Sequence, residues 1–341
     1  MQRKPSPRSS TFIIAEAGVN HNGKEDTAMR LIDAAKDVGA DAVKFQLFDP
    51  DELAGGASLA SYQEQGKGSW SNQREMLASL VLPQEAYQRL AAHAKKRSIE
   101  LIVTPFDIAS ARFLLTLPVT TIKIPSGEIT NLPFLKDVAT LGAEVILSTG
   151  MCTLDEVREA VEIFRPAKIP LTLLHCTSAY PAPYEDVHLR AISHLRETFD
   201  LPVGLSDHTE GIEVAIAAVA CGASVIEKHL TLDRTLPGPD HRASIEPEAF
   251  ATMVRSIRHV EAALGEPKKE LQPSEENVAQ VARRSVVAAH DLKKGQSLTE
   301  EMIAIRRPGT GISPKSSAEV VGKTAKKDIE SGTPLTWDML Q

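Results

Sequence analysis

Short apolar segments alternate with helical periodicity along most of this chain, and this alternation constrains the fold more than any other feature. Eight of these segments are predicted strands, each followed by polar residues: 12–15, 41–45, 100–104, 121–124, 144–148, 171–176, 203–206 and 224–227. Strands that alternate with helices indicate a parallel sheet, either doubly wound or closed. Short strands with polar tips, spread over roughly 250 residues, favour a closed (β/α)8 barrel of the TIM type at 12–265.

The composition and the pattern of predicted elements change after the predicted barrel. Residues 266–282 are charged, contain proline and are poor in aromatic residues, which predicts an interdomain linker. Residues 283–341 contain short strands and turns punctuated by Gly and Pro, which predicts a small, mostly β second domain. Residues 1–11 are basic, rich in Ser and Pro, and lack the apolar core of a signal peptide, so we predict a disordered lead-in.

The charge and cysteine content limit the expected partners. Lys plus Arg number 38 against 45 for Asp plus Glu, and the formal net charge of -7 argues against nucleic acid as a partner. No apolar run approaches the roughly 20 residues that span a membrane. Cys152, Cys176 and Cys221 are scattered and form no CxxC motif. Small buried thiols in a reducing cytoplasm fit this pattern, so we expect a cytoplasmic protein.

Two neighbouring predicted strands each end in a histidine. His208 follows the seventh strand and His229 follows the eighth. Ligands bind at these ends of parallel strands, and imidazole is a common ligand of divalent metals. The two side chains therefore form a candidate metal site, with Asp207 and His241 as possible supporting groups. Two hydrogen-bonded histidines near a loop surface would give the same sequence pattern.

Two lysines interrupt apolar strands at positions where an unpaired charge is costly to bury. Lys44 and Lys123 would meet at one rim of a barrel, together with the hydroxyls of Ser126, Ser148 and Ser206. A phosphate or carboxylate of a substrate would satisfy both lysines. Pairing with core glutamates is the alternative. No Gly-rich cradle of the nucleotide-binding type is present, so a nucleotide is not the expected anion.

Carboxylates at the same rim are candidates for proton transfer. Glu16 follows the first strand and Glu128 follows the fourth. Either could act as an acid or base, and either could instead pair with Lys44 or Lys123.

Longer motifs cover the strand ends and the second domain: AEAGVNHNG (15–23), VKFQ (43–46), TPFD (104–107), KIPSGEITN (123–131), LSTGM (147–151), LLHCTSAYPAPYEDV (173–187), GLSDHTEG (204–211), IEKHLTLDRTLPGPDHRAS (226–244) and RRPGTGISP (306–314). With these motifs the chain resembles the sialic acid synthases over nearly its whole length. Its C-terminal part resembles the SAF, or antifreeze-like, domain.

The resemblance implies an enzyme that condenses phosphoenolpyruvate with an N-acetylated amino sugar and releases phosphate. It implies that Mn²⁺ or Mg²⁺ is held by His208 and His229, and that Glu16 and Glu128 handle protons. The residues implied for phosphoenolpyruvate are Lys44, Lys123, Ser126, Ser148, Ser178 and Ser206. The residues implied for the amino sugar are Gln46, Tyr180, Asp240 and Arg307. Arg307 would reach the barrel of a second subunit, which implies a domain-swapped homodimer.

The motifs leave the amino sugar open. N-acetylmannosamine, giving N-acetylneuraminate, is the commoner assignment and is the sugar that we expect. The alternative is 2,4-diacetamido-2,4,6-trideoxymannose, giving N,N'-diacetyllegionaminate, and Tyr62 and Gln63 in the long loop after the second strand could help to select between them. A metal-dependent aldolase that uses free pyruvate and a non-catalytic sugar- or ice-binding protein are two further hypotheses.

Overall fold

The computed structural model describes residues 10–54, 58–59, 63 and 70–341, and it divides into two compact units after Gly265. Most of the predicted lead-in, residues 1–9, lies outside the described residues, and so does Tyr62. Thr11, the last residue of that segment, is buried, and its carbonyl accepts a hydrogen bond from Arg258 at 2.8 Å.

The first unit is built around a closed barrel of eight parallel strands, which confirms the predicted fold class. The strands are β1 Phe12–Gly18, β2 Ala42–Leu47, β3 Glu100–Pro105, β4 Thr121–Ile124, β5 Glu144–Ser148, β6 Leu171–Cys176, β7 Val203–Asp207 and β8 Val225–His229. Strand β1 pairs with both β2 and β8, which closes the ring.

Helices follow the strands: α1 Glu25–Asp37, α2 Pro50–Leu53, α3 Gln73–Leu80, α4 Gln84–Arg97, α5 Ile108–Leu114, α6 Leu132–Ala139, α7 Leu154–Phe164, α8 Ala191–Phe199, α9 Glu213–Ala220 and α10 Pro247–Leu264. Helices α2 and α3 belong to a separate hydrophobic cluster, and the other eight contribute to the main core around the barrel. The sequence did not predict α2 or α3, because polar residues conceal their short apolar faces. Asn72 caps α3 by accepting a hydrogen bond from the Glu75 backbone at 2.9 Å.

Alternation along the strands divides the barrel's side chains between two environments. Outward residues such as Val43, Leu173 and Ile226 pack against the helices in the main core. Inward residues near the start of the strands form a separate apolar layer, the lower layer: Phe12, Ile14, Ala42, Ile102, Ile146, Leu174 and Val225. One inward position further along, β1, β2 and β8 carry Glu16, Lys44 and Glu227, and β4 carries Lys123. We call these four residues the upper layer. The lower layer therefore closes the barrel beneath a polar mouth.

The second unit has its own small core. It contains α11 Glu276–Ala282, β9 Ser285–Ala288, β10 Ile303–Arg306 and α12 Ser317–Val320, with β9 and β10 antiparallel. Buried aliphatic residues, including Val286, Leu298 and Leu335, fill this core. Helix α11 lies within the segment predicted as a linker. Among the described residues, no helix combines the length and apolar character that crossing a bilayer requires.

Candidate active site

A cavity of about 510 Å³ opens at the carboxyl ends of the barrel strands. This volume is typical of a small-molecule site. Twelve of the side chains predicted from the sequence line it: Glu16, Lys44, Gln46, Lys123, Ser126, Ser148, Ser178, Tyr180, Ser206, His208, His229 and Asp240. The barrel thus gathers at one mouth residues that are widely separated in the chain.

The two lysines of the upper layer pair with buried glutamates, as the alternative interpretation of their sequence anticipated. Lys44 Nζ lies 2.6 Å from Glu16 Oε2 and 3.7 Å from Glu227 Oε2, and Lys123 Nζ lies 3.8 Å from Glu227 Oε1. All four side chains are almost fully buried in the cavity wall. The lysines nevertheless face the cavity, so glutamate pairing and anion binding are compatible here.

Glu227 is a site residue that sequence reasoning missed. It accepts a hydrogen bond from Ser206 Oγ at 2.9 Å in addition to its two lysine contacts. The sequence did contain a signal for Glu227. Side chains two residues apart on a strand point to the same side, and His229 lies two residues after Glu227 and points inward. Burial alone would raise the pKa of Glu227, but Lys123 and Lys44 hold that pKa below its ordinary value. Glu227 therefore stays ionised between the lysines.

The lysines differ in how firmly they hold their protons. Burial alone would lower the pKa of Lys44, but the Glu16 and Glu227 carboxylates raise it above its ordinary value. Burial lowers the pKa of Lys123, and the charge of Lys44 adds to this effect. An anion in the cavity would stabilise the charged form of Lys123 in particular.

Hydroxyl groups and a backbone amide surround one side of the cavity. The Gly150 amide donates to Ser126 Oγ at 2.9 Å. A Cβ at Gly150 would lie only 2.4 Å from Ser178 Oγ, so glycine lets these groups converge. Within the described part of the chain, the buried Ser148 hydroxyl has no hydrogen-bond partner. An unsatisfied buried hydroxyl beside lysines suits an anionic ligand.

His208 and His229 lie side by side, with ring centroids 5.4 Å apart. His208 Nδ1 lies 2.9 Å from the Thr177 carbonyl, which fixes this ring and leaves its other nitrogen available. Burial alone would lower the pKa of His208, but the Cys176 thiol and the Thr177 carbonyl beside it raise it. Burial, with the charge of His208, lowers the pKa of His229 well below its ordinary value, so His229 is neutral.

The imidazole pair fits a divalent cation, which would displace any proton held by His208 when it binds. Within the described residues, His229 Nδ1 is buried without a hydrogen-bond partner, and neutral imidazole is the form that binds metals. The described residues hold no cluster of three or more His, Cys, Asp or Glu side chains with metal-binding geometry. Two protein ligands would leave the remaining coordination positions to water or substrate.

Three polar groups converge beside the imidazoles at Gly18. A Cβ there would lie 3.1 Å from Glu16 Oε1, 3.3 Å from Gln46 Nε2 and 3.5 Å from Asp240 Oδ2. Gly18 has a φ of 51°, a conformation that favours glycine. Burial, with the neighbouring Glu16 charge, raises the pKa of Asp240 to about 7. This group can therefore exchange a proton near neutral pH.

The opposite wall of the cavity is apolar and was not predicted. Val19, Met76, Leu77 and Leu80 line the cavity and belong to a separate hydrophobic cluster around α3. Leu53 and Phe106 extend this surface. No helix was predicted at Gln73–Leu80, so the contribution of this segment to the site was not anticipated. The cavity combines a charged floor with an apolar side wall.

Two predicted site residues lie apart from the cavity lining. Glu128 is half-buried in a turn after β4 and accepts a hydrogen bond from Asn131 Nδ2 at 2.7 Å. Arg307 follows β10 in the second unit and is exposed. Their catalytic and sugar-binding roles stay predictions.

Taken together, the barrel and its mouth define an enzyme class whose substrate is anionic and whose chemistry takes place at the strand ends. The comparisons with known proteins agree with this class. Residues 31–269 match the NeuB family model and residues 283–341 match the SAF domain model. The chain is 46% identical over 345 residues to an N,N'-diacetyllegionaminic acid synthase of Legionella pneumophila, covering 99% of this chain and 97% of the relative.

More distant relatives have related names. A human N-acetylneuraminate-9-phosphate synthase is 38% identical, covering 96% of this chain and 92% of the relative. The crystal structure of an N-acetylneuraminic acid synthetase from Leptospira borgpetersenii superposes with a TM-score of 0.71 at 38% identity, covering 79% of this chain and 90% of that one.

The chain belongs to the NeuB family and carries a C-terminal SAF domain. It is a phosphoenolpyruvate-condensing transferase of the nonulosonic acid synthase type. The resemblance seen in the sequence motifs is therefore confirmed.

Proposed function

We propose that this enzyme condenses phosphoenolpyruvate with 2,4-diacetamido-2,4,6-trideoxymannose to give N,N'-diacetyllegionaminate and phosphate. One observation carries the proposal: a single cavity combines buried lysines, an imidazole pair and an apolar wall. The 46% identity to the Legionella synthase supports the choice of product.

Phosphoenolpyruvate would bind at the floor of the cavity. Lys44 and Lys123 would contact its phosphate and carboxylate, and the unpartnered Ser148 hydroxyl would donate to one of these groups. Ser126, Ser178 and Ser206 also line the cavity. Because Glu16 and Glu227 already balance the two lysines, the floor offers little net positive charge to a trianion. The lysines therefore orient this substrate but do not neutralise it.

His208 and His229 would hold Mn²⁺ or Mg²⁺ at the edge of this floor. The bound cation would supply positive charge and polarise the aldehyde oxygen of the sugar. His208, fixed by Thr177, would keep its metal-facing nitrogen in place while substrates exchange.

The reaction forms a bond between C3 of phosphoenolpyruvate and the aldehyde carbon of the sugar. Water adds at C2, and phosphate leaves with cleavage of its C–O bond. Glu16 and Asp240, which converge at Gly18, would place the sugar's aldehyde end and accept or return protons there. Glu227 would hold Lys123 and Lys44 toward the phosphate throughout.

The apolar wall is the structural reason for preferring the trideoxy sugar. With the aldehyde at the imidazoles, the distal carbons of the sugar would face Val19, Met76 and Leu80. A C6 methyl group buries apolar surface there, whereas the C6 hydroxyl of N-acetylmannosamine would need a hydrogen-bond partner. N-acetylmannosamine is the second candidate, supported by the similarity to the human and Leptospira enzymes.

Arg307 and the second unit would complete the sugar site from a second subunit. We therefore propose a domain-swapped homodimer, in which Arg307 contacts an acetamido group, and a cytoplasmic location. Size-exclusion chromatography with light scattering tests the dimer. To test the swap, two variants that are each inactive because of a single substitution are mixed, and recovery of activity in the mixture would support it.

The experiment on function supplies the purified full-length chain with Mn²⁺, phosphoenolpyruvate and one sugar at a time. We expect phosphate release with both sugars, with kcat/KM about ten-fold or more higher for the diacetamido sugar, because a missing or extra small group is worth about 10–200-fold. Mass spectrometry of the product identifies the acid formed.

The outcomes separate the alternatives. A higher kcat/KM with N-acetylmannosamine would establish the second candidate. Product formation with pyruvate in place of phosphoenolpyruvate would establish the aldolase. No phosphate release with either sugar in the presence of metal would contradict the proposed function.

A further inference from the structure

Two charged residues interrupt the apolar outer face of the barrel next to the metal site. Val203, Leu205 and Ile226 occupy this face of β7 and β8 and are almost fully buried against helices. At the ends of the same strands the face carries Asp207 and Lys228, whose side chains are each only 1% exposed. Neither residue lines the cavity, so neither is in a position to touch substrate.

The two residues form a compact hydrogen-bonded unit, which we call the outer ion pair. Lys228 Nζ lies 2.8 Å from Asp207 Oδ2 and donates to the Thr209 carbonyl at 2.6 Å. Asp207 Oδ1 accepts from the Thr209 amide at 2.9 Å and from Thr209 Oγ1 at 2.7 Å. These contacts enclose His208, which lies between Asp207 and Thr209 in the chain. Lys228 immediately precedes His229.

The position of the outer ion pair matters because strand pairing ends there. The register of β7 on β8 stops at Asp207 opposite Lys228. Beyond this point the backbone of His208 and Thr209 has no ladder to β8. The lysine contact to the Thr209 carbonyl continues the connection between the two strands by one further step.

Stability alone does not account for a pair buried this deeply. Desolvating two charges is expensive, and replacing a buried pair with apolar residues of similar volume is often neutral or stabilising. Apolar residues fill the same face one step earlier on both strands. A charged pair at this point therefore has a role that packing would not serve.

We propose that the outer ion pair is a positioning device that sets the separation and orientation of His208 and His229, so that the two imidazoles can share one cation. This inference rests on the metal site of the proposed function. Asp207 and Lys228 act through the backbone on either side of the histidines, and the cation itself is bound only by the imidazoles and by substrate or water.

The test measures Mn²⁺ affinity of the metal-stripped full-length chain by electron paramagnetic resonance of free Mn²⁺. The variants are Lys228→Met, Asp207→Asn and the double variant Asp207→Asn/Lys228→Met, which removes both charges and leaves no unpaired ion. We expect the double variant to fold and to bind Mn²⁺ about 10–100-fold more weakly, the range usual for groups that support metal ligands. Direct binding of phosphoenolpyruvate without metal should change less than about two-fold, since the lysine floor is untouched.

A control ion pair, which is more exposed than the outer ion pair, lies at the opposite end of the barrel. Arg258 Nη2 pairs with Asp41 Oδ2 at 3.1 Å, and the same carboxylate accepts from the Ile13 amide at 2.8 Å. Asp41→Asn should lower the melting temperature while leaving the Mn²⁺ dissociation constant within about two-fold. This control separates positioning from general destabilisation.

His229→Ala tells the two possible failures apart. If His229→Ala abolishes Mn²⁺ binding while the double variant binds with wild-type affinity, the positioning role is overturned and the metal site stands. If His229→Ala binds Mn²⁺ like the wild type, the imidazole site itself is wrong, and both the positioning role and the metal of the proposed function fall. Weak Mn²⁺ binding in the double variant but not in Asp41→Asn supports the proposal.

Discussion

The lower and upper layers of the barrel differ sharply in composition, although β1, β2 and β8 contribute residues to both. The lower layer is aliphatic and aromatic, while the upper layer holds two lysines and two glutamates at the same depth of burial. Burying aliphatic groups stabilises a fold, whereas burying charges costs free energy unless every charge is paired. The difference shows that one layer maintains the barrel and that the other is kept for its chemistry, at a cost in stability.

The largest expected effect on turnover comes from removing the cation that we propose beside the upper layer. Chelation should lower phosphate release by at least about 1,000-fold, because Lewis-acid stabilisation is worth several kcal/mol. Added Mn²⁺ should restore the wild type but not His229→Ala. Steady-state phosphate release with and without chelator checks this, and full activity in the chelated enzyme would remove the metal from the account.

The next largest effect is expected from substitutions in the upper layer that change turnover and stability differently. Lys123→Met should lower kcat/KM by about 100–1,000-fold, since it removes a charged contact to the reacting anion. The double variant Lys123→Met/Glu227→Met should be equally inactive but at least as stable as the wild type, because no unpaired charge remains. Kinetics and thermal unfolding together test this. Loss of folding in the double variant would show that the charges maintain the barrel after all.

A smaller effect is expected outside both layers. Arg307→Ala should raise KM for the amino sugar about ten-fold, the effect of one lost hydrogen bond to a charged group, and leave KM for phosphoenolpyruvate nearly unchanged. Initial rates with each substrate varied in turn measure the split. Equal changes in both KM values would argue against a specific contact to the sugar.

The smallest effect on turnover should come from the lower layer. Ile102→Ala should reduce the free energy of unfolding by about 2–5 kcal/mol through the cavity that it leaves, while kcat/KM per folded molecule stays within a few-fold. Chemical denaturation and kinetics below the transition measure both quantities. A turnover loss comparable to that of Lys123→Met would erase the contrast between the layers.

The sequence predicted much of the barrel because strand-tip polarity and helix periodicity are local signals. Strands β4, β5 and β6 have the bounds that were expected. Helix α3 was missed since its apolar face is short and depends on packing against distant residues such as Val19 and Phe48. The apolar wall of the cavity was therefore not predicted either.

The charged part of the site was only partly predicted from the sequence, because contacts between strands depend on the folded barrel. Lys44 and Lys123 stood out because they interrupt apolar strands, and Glu16 was named as a possible partner, whereas Glu227 was not. Glu227 and Lys228 are adjacent in sequence, yet one faces the cavity and the other faces a helix layer. Alternation along a strand puts them on opposite faces, but the sequence prediction ended the eighth strand at Glu227 and assigned neither residue to a face.

The central claim is that the lysine pair and the imidazole pair act in one cavity, where the lysines hold phosphoenolpyruvate next to a cation that the imidazoles bind. Phosphorus-31 relaxation of phosphoenolpyruvate, measured with Mn²⁺ and the full-length chain, tests this directly. The account predicts strong paramagnetic relaxation of the phosphorus that disappears in His229→Ala and in Lys123→Met. Unchanged relaxation in a sample where Mn²⁺ and phosphoenolpyruvate are both bound would contradict it.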